Sequence, residues 1–391
     1  MDNEKLRIEN CLLGDLCQIS PSRKPIGDDE TVTFIGMEDV SGDGKIINHN
    51  LLPYSKTKNG LTYFEKNDVL VAKITPCFEN GKGACLDNLK TEKGFGSTEF
   101  HILRVNNNSV PRYIFYHTQS EKFRRKLAVE MVGSAGQKRV SASAILNYQL
   151  SIVHSISEQT AIAAALNDAD ALITQLEKLI AKKRNIKQGA MQELLKPKEG
   201  WEVKKLREIG ECIIGLTYSP SNVKKEGILV LRSSNIRGNK LVYEDNVFVN
   251  VDVPEKLITQ KSDILICVRN GSRNLIGKCA YIDGRGVGET FGAFMSIFRS
   301  QFNNFLFHAL QSNFIQRQIG ESIGATINQL TNKNLNAFEI PFPMPEEQTY
   351  IAQILSDMDA EIEALEKKLD KYKMLKQGMM QNLLTGKIRL V

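Results

Sequence analysis

The residues best suited to hold a phosphate group lie in residues 271–278, where glycine, serine and lysine follow an apolar run. Five residues separate Gly271 from Gly277, and Cys279 follows the lysine. A phosphate-binding loop needs four residues between its glycines, and a Ser or Thr after its lysine to reach magnesium. Residues 284–288 also lack the pattern of a dinucleotide site, and we interpret them as a turn. The sequence therefore predicts no nucleotide site.

The histidines and cysteines show no spacing typical of catalysis or metal binding. No metal-ligand pair occurs among the five histidines, His49, His101, His117, His154 and His308. No Cys-x-x-Cys occurs among the seven cysteines, Cys11, Cys17, Cys77, Cys85, Cys212, Cys267 and Cys279, which we expect to be small buried apolar residues. The chain also lacks the Pro-Pro-aromatic tetrads of amino-methyltransferases and a nuclease-like acidic motif. The sequence predicts no catalytic residue, no metal site and no cofactor.

The composition is that of an ordinary globular protein with a mild basic excess. With 42% hydrophobic and 25% charged residues, the 391-residue chain can form two or three domains. No run approaches a membrane span and the first residues lack the pattern of a signal peptide, so we expect a cytoplasmic protein without a membrane partner. The net charge of +6 permits a polyanionic partner but does not establish one.

A duplicated stretch organises the chain. Residues 158–195 and 347–384 agree at 21 of 38 positions when shifted by 189. Each copy carries apolar residues at alternating steps of three and four, which is the seam of a coiled coil. At 1.5 Å per residue, each copy predicts a rod of roughly 57 Å. The expected helix-pair interface consists of Ile162, Leu166, Ile173, Leu176, Ile180, Ile351, Leu355, Met358, Ile362, Leu365 and Leu369.

The matched seams favour pairing of the two helices within one chain. The alternative is that each helix packs on its own domain as an unrelated surface helix. Antiparallel pairing would give the chain a pseudo-twofold symmetry, with one globular domain near each end of the rod. We therefore expect an antiparallel coiled coil.

A mixed region of about 150 residues precedes each long helix, and the two regions share an order of predicted elements. An apolar strand starts after Asp68 in one and after Asp263 in the other, and each is expected to form a hairpin with a long polar tip. A glycine-rich turn follows at residues 94–96 or 284–288. An aromatic helix comes later, at residues 113–129 or 302–319. The predicted fold class is α+β, in which two globular mixed α/β domains alternate with two long helices.

The predicted domain boundaries follow from this order of elements. The first globular domain covers residues 1–153 and the first long helix residues 154–196. A linker at residues 197–201 leads to the second globular domain at residues 202–342. The second long helix and the C-terminal tail cover residues 343–391.

The chain resembles specificity subunits of type I restriction-modification systems. The resemblance rests on the alternation of globular domains with repeated helices and on two motifs. Residues 341–348, Pro-Phe-Pro-Met-Pro-Glu-Glu-Gln, open one helix, and residues 376–389, Lys-Gln-Gly-Met-Met-Gln-Asn-Leu-Leu-Thr-Gly-Lys-Ile-Arg, close it. The first copy departs from both motifs, with His-Ser-Ile-Ser at residues 154–157 and Leu-Leu-Lys-Pro-Lys at residues 194–198. This difference leaves open whether both helix ends dock equally well.

The resemblance implies a non-catalytic DNA-binding subunit of a restriction endonuclease and adenine methyltransferase complex. Each globular target-recognition domain would read one half of a bipartite, asymmetric site in double-stranded DNA. The helix pair would act as a spacer and dock two methyltransferase subunits, which hold S-adenosylmethionine, and restriction subunits would join through the complex.

Two alternatives stay open from the residues alone. One is an adaptor with two protein-binding domains on a coiled-coil rod, which would show no salt-dependent DNA binding. The other is a nuclease or methylase with an unrecognised site, which would be active as the isolated chain.

With DNA as the partner, the hairpin tips and nearby turns become the candidate reading elements. In the major groove, Arg and Lys pair with guanine, and Asn and Gln pair with adenine. The predicted DNA-binding residues are Lys73, Thr75, Asn80, Lys82, Gln137, Lys138 and Arg139 in the first domain, and Arg232, Asn235, Arg269, Asn270, Ser272, Arg273 and Asn274 in the second. Any one of them could instead belong to a solvated loop, but the two clusters occupy matching places.

Overall fold

A computed structural model of the chain describes residues 8–57, 60–134, 136–323 and 328–390. The chain folds as two units, residues 1–177 with 367–391 and residues 178–366. Each unit contains one globular region and parts of both long helices.

The globular region of the first unit consists of short strands followed by three short helices and a last strand, with one further short helix near its start. Its elements are β1 (Ile8–Leu12), α1 (Leu13–Leu16), β2 (Cys17–Ile19), β3 (Thr31–Ile35), β4 (Asn50–Pro53), β5 (Thr62–Glu65), β6 (Val69–Ala72), β7 (Gly83–Cys85), β8 (Lys93–Gly96), β9 (Phe100–Val105), α2 (Pro111–Gln119), α3 (Glu121–Val129), α4 (Ala142–Leu146) and β10 (Gln149–Val153). The antiparallel sheet has the order β2-β9-β6-β7, and the second sheet has the order β4-β3-β8-β5 with β3 and β8 parallel.

Strand β6 is apolar throughout because both faces of its sheet are buried. Val69 and Val71 pack with Tyr113 in the core beneath the helices. Leu70 and Ala72 point the other way, into the core that contains residues of the second sheet. Alternation along a strand with two buried faces gives a continuous apolar run, which is the pattern visible in the sequence.

The second unit repeats this order of elements. After the first long helix, α5 (Ile156–Leu194), come β11 (Glu202–Lys205), α6 (Leu206–Ile209), β12 (Glu211–Ile214), β13 (Val223–Lys224), β14 (Ile228–Leu231), β15 (Ile236–Arg237), β16 (Lys240–Leu241), β17 (Phe248–Val249), β18 (Ile264–Cys267), β19 (Cys279–Tyr281), β20 (Thr290–Phe291), β21 (Met295–Arg299), α7 (Asn303–Leu310), α8 (Asn313–Ser322), α9 (Asn332–Ala337), β22 (Glu339–Phe342) and α10 (Pro345–Leu383). The antiparallel sheet β12-β21-β18-β19 corresponds to β2-β9-β6-β7, and the parallel pair β14-β20 corresponds to β3-β8.

The two predicted hairpins are confirmed by the strand registers. Val69 pairs with Cys85 in the first unit, and Ile264 pairs with Tyr281 in the second. An aspartate precedes each first strand and pairs with an arginine near the end of the neighbouring strand. The distance from Asp68 Oδ2 to Arg104 is 2.8 Å, and that from Asp263 Oδ2 to Arg299 is 2.7 Å.

Two local predictions were wrong. The predicted turn at residues 94–96 is strand β8, where a Cβ on Gly94 would lie 2.5 Å from the carbonyl oxygen of Thr33, so the glycine permits close approach of the strands. Each predicted aromatic helix is a pair of helices, α2 with α3 and α7 with α8. The breaks fall at Ser120 and Ser312, which have extended backbones. The side-chain oxygen of each serine accepts a hydrogen bond from the first turn of the following helix and so caps it.

The long helices α5 and α10 contain 39 residues each and run antiparallel where they pair. In the first unit, Asp170 lies 2.5 Å from Lys376, and Glu177 lies 3.0 Å from Lys373. The residue numbers rise along one helix as they fall along the other. The second unit repeats the pattern, since Lys183 pairs with Glu361 at 2.6 Å and Lys187 with Asp359 at 2.5 Å.

Each globular core contains residues from the start of one long helix and from the end of the other. In the first unit, Ile162 and Leu166 of α5 share a core with Leu383 and Leu384. In the second, Ile351 and Leu355 of α10 share a core with Leu195. Among the described residues, no helix is both long and apolar enough to cross a membrane.

Candidate nucleic-acid interface

In both units, the residues just after the central strand form backbone hydrogen bonds with a distant loop. After the end of β6, Thr75 N–H donates to the Lys138 carbonyl at 2.9 Å, and Val140 N–H donates to the Lys73 carbonyl at 3.0 Å. As β18 leaves its sheet, Asn270 N–H donates to the Asn328 carbonyl at 3.4 Å, and Leu330 N–H donates to the Val268 carbonyl at 2.7 Å. Each strand end is thereby fixed to a loop that lies far away in the sequence. Loops held in this way by a rigid sheet are suited to present side chains to a ligand.

In the first unit, this construction brings together four of the predicted DNA-binding residues, Lys73, Thr75, Lys138 and Arg139. The Lys73 ammonium donates to the Thr98 carbonyl at 2.8 Å, and the Thr75 hydroxyl donates to the Lys138 carbonyl at 3.2 Å. Burial lowers the pKa of Lys73, and the nearby charge of Arg139 lowers it further, while Glu99 opposes the shift. Lys73 and Thr75 therefore support the shape of the loop.

Arg139 is held by a carboxylate. Its Nε donates to Glu99 Oε2 at 3.0 Å and its terminal amino group donates to Glu99 Oε1 at 2.8 Å. These hydrogen bonds lower the pKa of Glu99. A bidentate pair of this kind fixes the plane of the guanidinium and occupies one edge of its donor fork.

The remaining predicted residues of the first unit differ in how free they are. Lys82 donates to the Met37 carbonyl at 2.8 Å, and so it links the hairpin tip to the loop that follows β3. Asn80, Gln137 and Lys138 are exposed, and their side chains make no hydrogen bond or ion pair to any residue that the structure describes. These three therefore keep all their side-chain hydrogen-bonding groups available for a ligand.

In the second unit, the two predicted clusters meet. The Asn270 side-chain amide donates to the Ser233 hydroxyl at 3.0 Å, which links the hairpin tip to the loop that contains Arg232 and Asn235. Arg232 pairs with Asp245 at 2.8 Å. Asn235 is fully buried, and its amide donates to the Val242 carbonyl at 2.9 Å, so it supports this loop from inside.

The other tip residues are exposed. Arg273 donates one amino group to the Gly320 carbonyl at 3.0 Å, and Ser272 N–H donates to the Asn270 side-chain oxygen at 2.9 Å. The Asn274 side chain has no hydrogen-bond partner within the described ranges. The guanidinium of Arg269 lies 4.9 Å from the centre of the Phe294 ring.

An open groove of about 680 Å³ runs beside the hairpin tip of the second unit. Tyr218, Arg232, Ser233 and Phe294 are among the residues that line it. It combines aromatic surface with hydrogen-bonding groups, which suits an extended polar ligand with apolar edges.

The sequence reasoning missed four residues at these strand ends: Glu99, Phe294, Asn328 and Gln329. A signal for the last two exists in the sequence. Ser141 and Thr331 cap the short helices α4 and α9, and Ile145 and Leu335 fill the same core positions. Aligning the chain on these helices at a shift of 190 sets Lys138 and Arg139 against Asn328 and Gln329.

The helix-pair residues fall into two groups. Ile162 and Leu166, like Ile351 and Leu355, belong to the globular cores described above. Ile173 and Leu176 are buried in the first unit, and Ile180 and Ile362 are buried in the second. Met358, Leu365 and Leu369 are partly buried. Apolar side chains also remain on the outside, with Ile186 46% exposed and Leu375 53% exposed.

Several of the cysteines and histidines are buried in the cores. Burial raises the pKa of the Cys17, Cys85 and Cys279 thiols to about 12. Burial lowers the pKa of His101 and of His308 to about 4. In the part of the chain that the structure describes, no group of three or more His, Cys, Asp or Glu residues could hold a metal ion.

Comparison with protein families gives a match over most of the chain. The family model described as "Type I restriction modification DNA specificity domain" matches residues 7–188 and 198–372. The chain is 32% identical over 168 residues to the specificity subunit of the type I restriction enzyme EcoEI from Escherichia coli. That alignment covers 42% of this chain and 28% of the relative.

A longer alignment relates the chain to the specificity subunit of the type I restriction enzyme MjaVIII from Methanocaldococcus jannaschii. The two are 27% identical over 304 residues, which cover 71% of this chain and 70% of the relative. The chain aligns with only 28% and 22% of the EcoEI and EcoAI subunits.

Two solved structures share the fold. One is a chain from a study of complex assembly and conformational transition of the type I R-M system, with a TM-score of 0.61, 17% identity and coverage of 97% of this chain and 98% of that one. The other is the type I restriction-modification system S subunit from M. genitalium, with a TM-score of 0.59, 14% identity and coverage of 98% of both chains.

Proposed function

The chain belongs to the family of type I restriction modification DNA specificity domains, and from that premise we propose that it is the DNA specificity subunit of a type I restriction-modification complex. Each globular region reads one half of a bipartite, asymmetric site in double-stranded DNA. The complex also contains methyltransferase subunits, which hold S-adenosylmethionine, and restriction subunits.

The observation that carries this proposal is the repeated strand end with different side chains. The backbone hydrogen bonds at Thr75 and Lys138 recur at Asn270 and Asn328. The exposed side chains around them differ, with Gln137 and Lys138 in one unit and Arg269 and Asn274 in the other. A shared backbone that presents different hydrogen-bonding groups suits two readers of two different half-sites.

The helix pair has two roles in this proposal. A 39-residue helix is ~58 Å long, which exceeds one turn of duplex DNA at about 34 to 36 Å, so the pair can set the spacing between half-sites. Its repeated outer surface docks two methyltransferase subunits. Ile186 and Leu375 occupy equivalent positions in the repeat, and both are exposed apolar side chains on otherwise charged helices.

Electrophoretic mobility shift of duplex DNA, by the chain alone and with its methyltransferase partner, tests the DNA-binding role. Binding should weaken steeply as salt rises, by about a thousandfold between about 50 and about 200 mM if six or more phosphates are contacted. The complex should prefer one sequence over scrambled duplexes. DNA binding that is absent at low salt would contradict the proposal and favour the protein-binding adaptor.

A pair of lysine variants locates the DNA-binding face. Lys138→Ala should weaken binding to all duplexes alike and lower the salt slope by about 1, because its exposed ammonium is placed to contact phosphate. Lys66→Ala is the matched control, since Lys66 lies at the opposite end of β6, where it is paired with Glu92 at 3.7 Å. Equal losses in the two variants would show that the strand end is not the face that meets DNA.

A further inference from the structure

We infer that Arg269 reads a guanine in the half-site of the second unit and that Phe294 is the positioning residue that holds it in place. The inference rests on the proposed function and deepens it, because it names one base and the side chain that recognises it. Four observations carry it: the stacked geometry, the free donors of the guanidinium, the place of the pair at the hairpin tip, and the contrast with the first unit.

Backbone hydrogen bonds hold the two residues side by side. Val268 and Arg269 both donate their N–H groups to the Phe294 carbonyl, at 3.0 and 3.1 Å. The guanidinium then lies 4.9 Å from the ring centre, within the range of a cation–π contact. Phe294 is 56% exposed although it stands next to a buried strand, so its ring faces solvent at the tip. Contact with this ring favours a position of the guanidinium beside the hairpin tip before any ligand arrives.

Arg269 keeps its donors free, unlike its neighbours. Arg232 is paired with Asp245, Arg237 with Glu244, and Arg273 with the Gly320 carbonyl. The guanidinium of Arg269 makes no hydrogen bond or ion pair with any of the residues that the structure describes. Its planar fork is therefore available. The contact with Phe294 narrows the positions that the side chain samples, which lowers the entropy lost on binding.

The planar fork of a guanidinium matches the edge of a base. Arginine forms two parallel hydrogen bonds with O6 and N7 of guanine in the major groove, and this is the commonest specific contact between proteins and DNA. A phosphate can accept the same two hydrogen bonds, but the place of Arg269 at the tip of a hairpin, which can enter the major groove, favours a base edge. The hairpin tip supplies the protruding element, and the groove beside it supplies aromatic surface with a few hydrogen-bonding groups.

The first unit has a different residue at the same place. Lys73 N–H donates to the Glu99 carbonyl at 2.7 Å, as Val268 N–H does to that of Phe294, so Glu99 and Phe294 are equivalent. Glu99 binds the fork of Arg139, which leaves that arginine unable to offer the same edge to a base. Guanine reading by a stacked arginine is therefore expected in one half-site only.

The test is selection from duplexes randomised across both half-sites, using the complex reconstituted from the full chain and its methyltransferase subunits. The unmodified complex should select an invariant guanine at one position. Arg269→Ala should lose that preference, by about tenfold to a hundredfold, and keep the preference at every other position. Phe294→Leu should weaken the same preference without abolishing it, and Arg269→Lys should not restore it.

Arg285→Ala is the matched control. Arg285 also stacks on an aromatic ring, 4.6 Å from the centre of Tyr243, but it follows β19 at the end of the hairpin opposite the tip. Its selection profile should equal that of the parent. Replacing the selected guanine by 7-deazaguanine removes the N7 acceptor, so it should weaken the parent and leave the affinity of Arg269→Ala unchanged.

Two results would overturn the inference in distinguishable ways. If Arg269→Ala weakens binding to all duplexes alike and keeps the guanine preference, the side chain contacts phosphate and the inference is wrong while the proposed function stands. If the unmodified complex selects no sequence, the proposed function itself is contradicted, and the inference falls with it.

Discussion

At the scale of single residues, burial strongly lowers the pKa of two core histidines, His117 and His308. His117 is surrounded by the core of the first unit, packs edge-on against Tyr113 at 4.7 Å, and its Nε2 has no hydrogen-bond partner in the described structure. Burial lowers the pKa of His117 to about 3. His308, at the corresponding place in the second unit, has a pKa lowered by burial to about 4, and its Nε2 is 3.1 Å from the Ser356 hydroxyl. Both side chains therefore stay neutral at physiological pH.

From these lowered pKa values we expect the protein to lose stability in mild acid. Between the folded pKa near 3 or 4 and the ordinary value of 6.5, the unfolded chain binds protons that the folded chain does not. The contribution of each histidine to the free energy of unfolding is therefore fully present above pH 6.5. It falls as the pH drops, by up to about 1.4 kcal/mol per pH unit for each histidine. Urea unfolding of His117→Leu should show a shallower decline between about pH 6.5 and pH 5 than the parent.

The exposed His154 provides the control for this experiment. Its ring nitrogen is 3.3 Å from Glu9, and both side chains are largely open to solvent. His154→Leu should leave the pH dependence of unfolding close to that of the parent. A slope that His117→Leu does not change would show that His117 is not responsible for the acid sensitivity.

At the scale of elements, the helix pair combines an apolar seam with ion pairs that repeat. Asp170 with Lys376 and Lys187 with Asp359 occupy equivalent positions, since each lysine and each aspartate is related to its counterpart by the shift of 189. The apolar residues between them supply most of the stabilisation, because partly exposed ion pairs contribute little. The charges specify antiparallel register, since a parallel arrangement would not bring these partners together.

A charge placed in the seam should unfold the helix pair. Ile173→Asp in the first unit and Ile362→Asp in the second each put a carboxylate where the structure buries an apolar side chain, at a cost of several kcal/mol, about 2 to 7 for an uncompensated polar group. Circular dichroism during thermal unfolding should show a lower melting temperature for each variant.

Ile186→Asp is the control on the same helix, because Ile186 is 46% exposed. It should unfold close to the parent temperature. Should Ile173→Asp and Ile362→Asp melt as the parent does and still bind the partner, the seam has been assigned to the wrong residues.

At the scale of the whole molecule, the two copies of the long helix have diverged less than the two globular regions. The long helices agree at 21 of 38 positions, whereas the strand ends differ in nearly every exposed side chain. Helices that meet the same partner twice keep the same surface, and readers of two different half-sites do not. In the proposed complex, one chain offers two equivalent docking surfaces and two distinct readers.

This arrangement predicts that each chain binds two methyltransferase subunits. A substitution at one docking position should release one subunit and leave the other bound. Ile186→Glu and Leu375→Glu each place a charge on one of the two equivalent exposed apolar positions. Native mass spectrometry of the reconstituted complex should show one methyltransferase subunit bound to either variant and none bound to the double variant. Both variants should keep the parent melting temperature, because neither side chain is buried. Two subunits retained by the double variant would show that docking uses another surface.

The sequence by itself determined the features that depend on local order. Period and duplication identified the two long helices, because apolar spacing in a helix is set by its 3.6-residue turn and needs no knowledge of the partner. The apolar runs that follow Asp68 and Asp263 identified the central strands and their hairpins, because a strand buried on both faces is apolar throughout. These signals were sufficient for the fold class.

Only the tertiary structure decided which side chains meet at the strand ends. Thr75 and Lys138 lie 63 residues apart, and no periodicity relates them. Asn235 was expected at the surface, but it is buried, because its amide satisfies a carbonyl inside the loop. Phe294 and Arg269 come together because neighbouring strands of one sheet end side by side, an adjacency that depends on strand order rather than on distance along the chain. Contacts between distant segments are set by packing of the whole unit, so the spacing of residue types along the chain does not predict them.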